Sequence, residues 1–202
     1  MRKTIPFVIT VILIGGLLTC TYAQETGSFS DNRDGKEYKT VKIGDQWWMA
    51  ENLAFKPESG SFTYSDLKDY VQTYGYLYNW ETAKNVCPEG WHLPSDAEFE
   101  KLSNFLGGPD AAGGKLKEVG TTHWKSPNAG ATNSTGFSAL SAGMSGDNEH
   151  KGYLGIMTFF SSSDDDGDVR VVGRALYSAK GEFTRYGILK DKGLSVRCIK
   201  DQ

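Results

Sequence analysis

The positions of the three cysteines constrain this 202-residue chain more than any other feature. Cys20 lies in an apolar N-terminal segment, whereas Cys87 and Cys198 are 111 residues apart in the remainder. Three thiols cannot all pair within one chain, so one of them must have another fate. A disulfide between Cys87 and Cys198 would close a loop of most of the fold, for which the chain-entropy model gives roughly 4 to 5 kcal/mol. The alternative is two free, buried thiols.

Residues 1–23 have the pattern of a secretory signal peptide. Arg2 and Lys3 form a basic start, and the apolar run at 5–18 is shorter than the ~20 residues that a membrane-spanning helix needs. Cleavage is predicted after Ala23, where small side chains stand at both positions that a signal peptidase reads. Export to an oxidising compartment favours pairing of the two remaining cysteines.

A lipoprotein signal is the second interpretation of this leader. Leu17-Leu18-Thr19-Cys20 resembles a lipobox, in which Cys20 is lipidated and becomes the first residue. An uncleaved anchor is the third. The first two interpretations predict a protein that is secreted, or that is held at the outer membrane or cell surface with only its lipid in the membrane.

The rest of the chain divides into a polar segment and one domain. Residues 24–33 are polar and are predicted to be a flexible tether, and residues 34–202 are predicted to form a single domain. The hydrophobic fraction of 39% is enough for a packed core. A net charge of −3 without a basic patch argues against nucleic-acid binding.

Local patterns predict an α+β fold with short early helices and a turn-rich antiparallel β core. Ser95 and Glu98 form the capping box of a helix, and shorter helices are predicted at 79–86 and 111–119. A hairpin turning at Gly44-Asp45 would bring at least one of Trp47 and Trp48 into the core, because neighbouring strand residues face opposite sides. Later strands are predicted at 137–140, 153–160, 169–177, 183–189 and 194–199.

Ordered motifs from about residue 31 to residue 201 resemble the Fibrobacter succinogenes major paralogous domain family. The most specific motif is Cys87-Pro88-Glu89-Gly90-Trp91-His92-Leu93-Pro94-Ser95-Asp96-Ala97-Glu98-Phe99. Further motifs lie at 31–44, 46–53, 76–83, 136–140 and 193–198.

The resemblance implies a C-type-lectin-like fold, related to formylglycine-generating-enzyme-like domains, in a bacterial secreted or surface protein that is often a lipoprotein. It carries no assigned activity. Where relatives tend to have a Trp-Ser-Ser-Thr type of motif, this chain has Phe160-Ser161-Ser162-Ser163 before an acidic run. This departure puts any loop function shared with the family in doubt.

No motif predicts catalysis. Cys87 and His92 lack the spacing and the second Cys/His pair of a zinc site, so His92 is predicted to be a hydrogen-bonded structural residue. Calcium is the one cofactor that the sequence suggests. The carboxylates of Asp164, Asp166 and Asp168 have the oxygen density that calcium needs, but they lack the glycine and glutamate of an EF-hand loop, and a solvated turn is the alternative.

The predicted function is therefore non-catalytic binding of an extracellular glycan or surface protein through the long loops between Gly120 and Asp168. Aromatic faces stack on sugars and anchor protein partners. Trp124 is the exposed candidate because its neighbours are polar, and Tyr153 is a second candidate in the same loops, together with the three aspartates. Two alternatives are an uncharacterised extracellular enzyme and a structural surface or appendage component.

Overall fold

A computed structural model describes residues 24–64, 69–145 and 153–202. The signal peptide, its cleavage site and the lipidation of Cys20 lie outside the described residues. Within those ranges, no helix is long and apolar enough to cross a membrane. The strands are β1 (Thr26–Ser30), β2 (Glu37–Ile43), β3 (Gln46–Met49), β4 (Ser61–Phe62), β5 (Leu77–Tyr78), β6 (Trp91–His92), β7 (Met157–Asp165), β8 (Arg170–Tyr177), β9 (Thr184–Leu189), β10 (Leu194–Ser195) and β11 (Ile199–Lys200), and the helices are α1 (Tyr70–Tyr74), α2 (Trp80–Ala83), α3 (Asp96–Phe105) and α4 (Pro109–Leu116).

The first sheet has the order β1-β2-β3-β11-β6 and contains both ends of the described chain. β2 and β3 form the predicted hairpin, in which Ile43 pairs with Gln46 across the turn. Trp48 is fully buried and Trp47 is half-buried, as the alternation of a strand predicts.

The prediction of a flexible tether at 24–33 is wrong for β1. Five residue pairs join it to β2, from Thr26 opposite Val41 to Ser30 opposite Glu37. Phe29 then stacks on Trp91 with ring centroids 4.4 Å apart. The sequence of β1 is polar because β1 is an edge strand and most of its side chains are exposed to solvent.

The second sheet has the order β4-β5-β10-β7-β8-β9. Its long members, β7, β8 and β9, correspond to predicted strands, whereas the predicted strand at 137–140 contributes only an isolated bridge between Ala139 and Lys117. β10 runs parallel to β7, with Ser195 opposite Phe160. The fold is thus α+β, as predicted.

The helices follow their local capping signals. Ser95 Oγ accepts a hydrogen bond from the Glu98 N–H, and the Glu98 carboxylate accepts one from the Ser95 N–H. The predicted capping box is therefore present. Asn79 caps α2, and Pro109 opens α4 two residues before the predicted start. α3 and α4 supply four of the apolar side chains of the main core, which also takes side chains from both sheets.

The Cys87–Cys198 disulfide is present, with an S–S distance of 2.07 Å, and confirms the predicted pairing. It lies in a second apolar cluster with Tyr38, Met49 and Val196. Cys198 directly precedes β11, so the bond ties the segment after α2 to the centre of the first sheet.

Candidate functional site

A cavity of about 430 Å³ lies where the β1–β2 edge of the first sheet meets α1 and the 136–140 segment. Its lining comes from parts of the chain that are far apart in sequence. The charged members are Lys36, Lys39, Glu51 and Arg197. The polar and apolar members are Thr26, Gly27, Thr40, Val41, Ala50, Asn52, Ala54, Val71, Gln72, Thr73, Gly75, Gly136, Ser138 and Leu140.

The wall beside α1 depends on a glycine. Gly75 ends α1 with a φ of +73°, and a Cβ there would lie 2.5 Å from the Leu53 carbonyl oxygen. Only glycine combines this backbone conformation with such a close approach. Asn52 completes the junction, because its amide donates to the Tyr74 carbonyl at 2.8 Å.

Arg197 is the most deeply buried charge of the cavity, with only 1% of its surface exposed. Its Nε donates to Asn52 Oδ1 at 2.7 Å, and its Nη2 donates to the Ser138 carbonyl at 3.1 Å. Its Nη1 donates to the Phe137 carbonyl and, at 3.4 Å, to that of Met49. The guanidinium also lies 4.3 Å from the centre of the Phe137 ring. Arg197 therefore joins β3, the 136–140 segment and the end of the chain.

Arg197 has no carboxylate partner among the described residues. All four of its acceptors are neutral, although five N–H groups are available on a guanidinium. Burial lowers the pKa of Arg197 to about 9, and the nearby charge of Glu51 opposes this shift. The group is still cationic at neutral pH.

The remaining charges give the cavity an excess of positive charge. Lys36 and Lys39 line it and form no ion pair with any residue that the structure describes. Glu51, the single acidic residue among the described lining residues, accepts the backbone N–H of Lys39 at 3.0 Å. Within 24–64, 69–145 and 153–202, the lining thus contains three cations and one carboxylate.

Trp124, predicted to be an exposed ligand-binding residue, is 1% exposed, so that prediction is wrong. Its indole Nε1 donates to the Ala139 carbonyl at 2.9 Å, and the ring belongs to the main core. Its polar neighbours in sequence mislead because the ring packs into a core whose other members include side chains from both sheets, α3 and α4. Tyr153 is half-buried and packs edge-on against Phe159, with centroids 6.0 Å apart.

The three aspartates are not brought together as a ligand set. Asp164 accepts the Asp96 N–H at 2.6 Å at the start of α3, and Asp166 and Asp168 are exposed. Within 24–64, 69–145 and 153–202, no three His, Cys, Asp or Glu side chains are grouped to hold a metal ion. The placement of these residues gives the calcium prediction no support.

His92 has the structural surroundings that the sequence predicts. Its Nδ1 lies 2.6 Å from Asp201 Oδ1 and its Nε2 lies 2.9 Å from Glu98 Oε1. Burial disfavours the imidazolium, but the hydrogen bonds to Asp201 and Glu98 outweigh it and raise the pKa of His92. Cys87 is in the disulfide and offers no free thiol.

Lys117 is a second buried cation that sequence reasoning missed. Its Nζ donates to the carbonyls of Ala129, Tyr177 and Lys180, each at 2.8 Å. Burial lowers the pKa of Lys117 to about 8. It does not line the cavity, and its three N–H groups are all used.

The predicted binding loops contribute little to the cavity. Of the described residues between 120 and 168, only Gly136, Ser138 and Leu140 line it. The sequence could have indicated Arg197, because it is the one charged residue within the apolar stretch 194–199. A charge at such a position is buried and needs partners.

Comparison with known proteins identifies the family. No curated protein and no solved structure matches the chain. The family model of the Fibrobacter succinogenes major domain matches residues 41–200, and this range contains most of the cavity lining. The lining residues outside the match are Thr26, Gly27, Lys36, Lys39 and Thr40. Because the match covers well over half of the chain, the protein belongs to the Fibrobacter succinogenes major domain family.

Proposed function

We propose that this chain is a non-catalytic binding module that works outside the cell and receives part of a glycan or of a surface protein in the cavity beside α1. The main observation that supports this function is the cavity. Its volume of about 430 Å³ lies within the roughly 300 to 1,000 Å³ of small-ligand sites. Hydroxyl and amide groups line it, with a buried cation among them, and such groups orient a polar ligand.

A C-type-lectin-like architecture is part of the same proposal and rests on the family resemblance. The presence of β1 and β11, the first and last described strands, in one sheet and the disulfide between distant segments support it. Fold similarity alone does not establish a ligand. The proposed binding function therefore depends on the cavity and not on the fold.

We also propose that the protein is secreted, or anchored by a lipid at the outer membrane or cell surface. The disulfide supports an oxidising compartment. Glu25, which lies close in sequence to both predicted processing sites, pairs with Lys42 at 2.9 Å. If Cys20 carries the lipid, the six residues to Thr26 span at most about 22 Å, so the cavity would lie close to the membrane. Mass spectrometry of the exported N-terminus distinguishes Gln24 from a lipidated Cys20.

The test of the binding site is a glycan-array and pull-down comparison of exported protein with two variants. Thr73→Trp places a large side chain at the exposed mouth of the cavity, and Thr121→Trp places the same side chain on an exposed segment outside it. We expect Thr73→Trp to abolish binding and Thr121→Trp to leave it unchanged. Binding that survives Thr73→Trp and is lost in Thr121→Trp would move the site to the loops.

A further inference from the structure

We propose that the cavity recognises the carboxylate of an acidic sugar, such as a uronic acid unit of a glycan; this rests on the proposed binding function. The first ground is charge. Arg197, Lys36 and Lys39 line the cavity, and Glu51 is the one acidic group that the described residues contribute to the lining. A ligand with one carboxylate would leave the occupied site closer to neutral.

The second ground is the incomplete pairing of Arg197. Four of its N–H groups meet Asn52 and three backbone carbonyls, and its fifth meets no acceptor among residues 24–64, 69–145 and 153–202. An unmade hydrogen bond on a buried cation is costly, and a carboxylate is its strongest acceptor. Glu51 does not fill this place, because no hydrogen bond or ion pair joins it to Arg197.

The third ground is what the lining lacks. No Trp, Tyr or Phe is among the lining residues of the part of the chain that the structure describes, so these residues offer no ring face on which a neutral sugar could stack. It offers hydroxyl and amide groups instead, which can pair with sugar hydroxyls. These groups belong to Thr26, Thr40, Asn52, Gln72, Thr73 and Ser138. Recognition by charge and hydrogen bonds therefore favours an acidic sugar over a neutral one.

The experiment uses a matched pair of ligands in calorimetry. Digalacturonate and diglucuronate carry the carboxylate, and their methyl esters keep the sugar rings and hydroxyl groups but replace each charged carboxylate with a neutral ester. We expect the acids to bind at least tenfold more tightly than the esters and to weaken as salt increases, because exposed charge pairs are screened. Equal binding of acid and ester would overturn the carboxylate proposal.

Lysine variants locate the charge effect without disturbing the buried arginine. Lys36→Gln and Lys39→Gln should each weaken binding of the acids about two- to fivefold, the loss expected for a partly exposed charge pair. Lys200→Gln is the control, because it removes the same charge from an exposed residue outside the cavity. An equal loss in Lys200→Gln would show a general charge effect and contradict the proposal.

Two results separate this proposal from the function on which it rests. Suppose that no carboxylated sugar binds, but that another ligand binds and its binding is lost in Thr73→Trp. The cavity is then a binding site, and the acidic-sugar proposal is wrong. If a glutamate-rich peptide binds at least tenfold more tightly than every sugar acid, the cavity recognises an acidic protein, and the sugar proposal is likewise wrong.

Discussion

Lys117 and Arg197 are buried cations that meet neutral oxygens and, within the described ranges, no carboxylate, yet their surroundings differ. The ammonium of Lys117 has three N–H groups and three carbonyls at 2.8 Å, and it is closed off from the cavity. Arg197 has five N–H groups and four neutral contacts, and it borders the cavity. The ammonium of Lys117 therefore has no N–H group left for a ligand, whereas Arg197 borders the cavity with one N–H group that meets no acceptor among the described residues.

The disulfide should distinguish the two regions most strongly. Cys198 follows Arg197 directly, whereas Lys117 Nζ donates to Ala129 and Tyr177, which are both outside the apolar cluster that contains the bond. Cys87→Ala with Cys198→Ala should lower the free energy of unfolding by roughly 4 kcal/mol. Hydrogen exchange should increase more around Arg197 than around Lys117. Equal increases in both regions would contradict a separation between them.

Lys117→Met should cost about 3 kcal/mol of unfolding free energy, because it leaves three carbonyls without a donor. Lys115→Met is the matched control, since Lys115 Nζ donates to a single carbonyl, that of Leu106. Its expected cost is about 1 kcal/mol. Urea unfolding measures both free energies. Equal losses of stability in the two variants would contradict a stabilising role for the three carbonyl contacts of Lys117.

Gly75→Ala should disturb the wall of the cavity and cost about 2 kcal/mol, through the positive φ and the contact with the Leu53 carbonyl. Gly35→Ala is its control, because Gly35 has a φ of +75° but no atom within 4 Å of an added Cβ. Backbone strain alone should cost it about 1 kcal/mol. Only Gly75→Ala should also weaken ligand binding, and an effect of Gly35→Ala on binding would show that the change is not local.

The smallest expected effect is on pH dependence. The folded pKa of Lys117 is about 8 and its ordinary value is 10.5, so between pH 8 and 9 the unfolded chain holds the proton more often. Stability should therefore rise with pH, by about 1 kcal/mol across this window. Lys117→Met should remove that rise in urea unfolding at the two pH values. Above this window the buried tyrosines, whose pKa values are raised, act in the opposite direction.

Features with local causes could be predicted from the sequence. The capping box of Ser95 and Glu98 and the turn between β2 and β3 each need only a few neighbouring residues. The disulfide could be predicted for another reason, because removal or capping of Cys20 leaves one pair. The family motifs, too, are contiguous segments that a single sequence displays.

Features that depend on distant partners could not be predicted. β1 is polar and becomes a strand because β2 offers it an edge, and Trp124 is buried because residues far along the chain cover it. The cavity needs β1, β2, α1, the 136–140 segment and Arg197 together. No local pattern marks such an assembly.

The sequence by itself determined the α+β class, the family, the cysteine pair and the expectation of export. Capping, turn formation and strand alternation act over a few residues, so they can be read in order along the chain. Only the tertiary structure decided which charges are satisfied. The carbonyls that pair with Lys117, and the four described acceptors around Arg197, come from segments that meet only when the chain has folded.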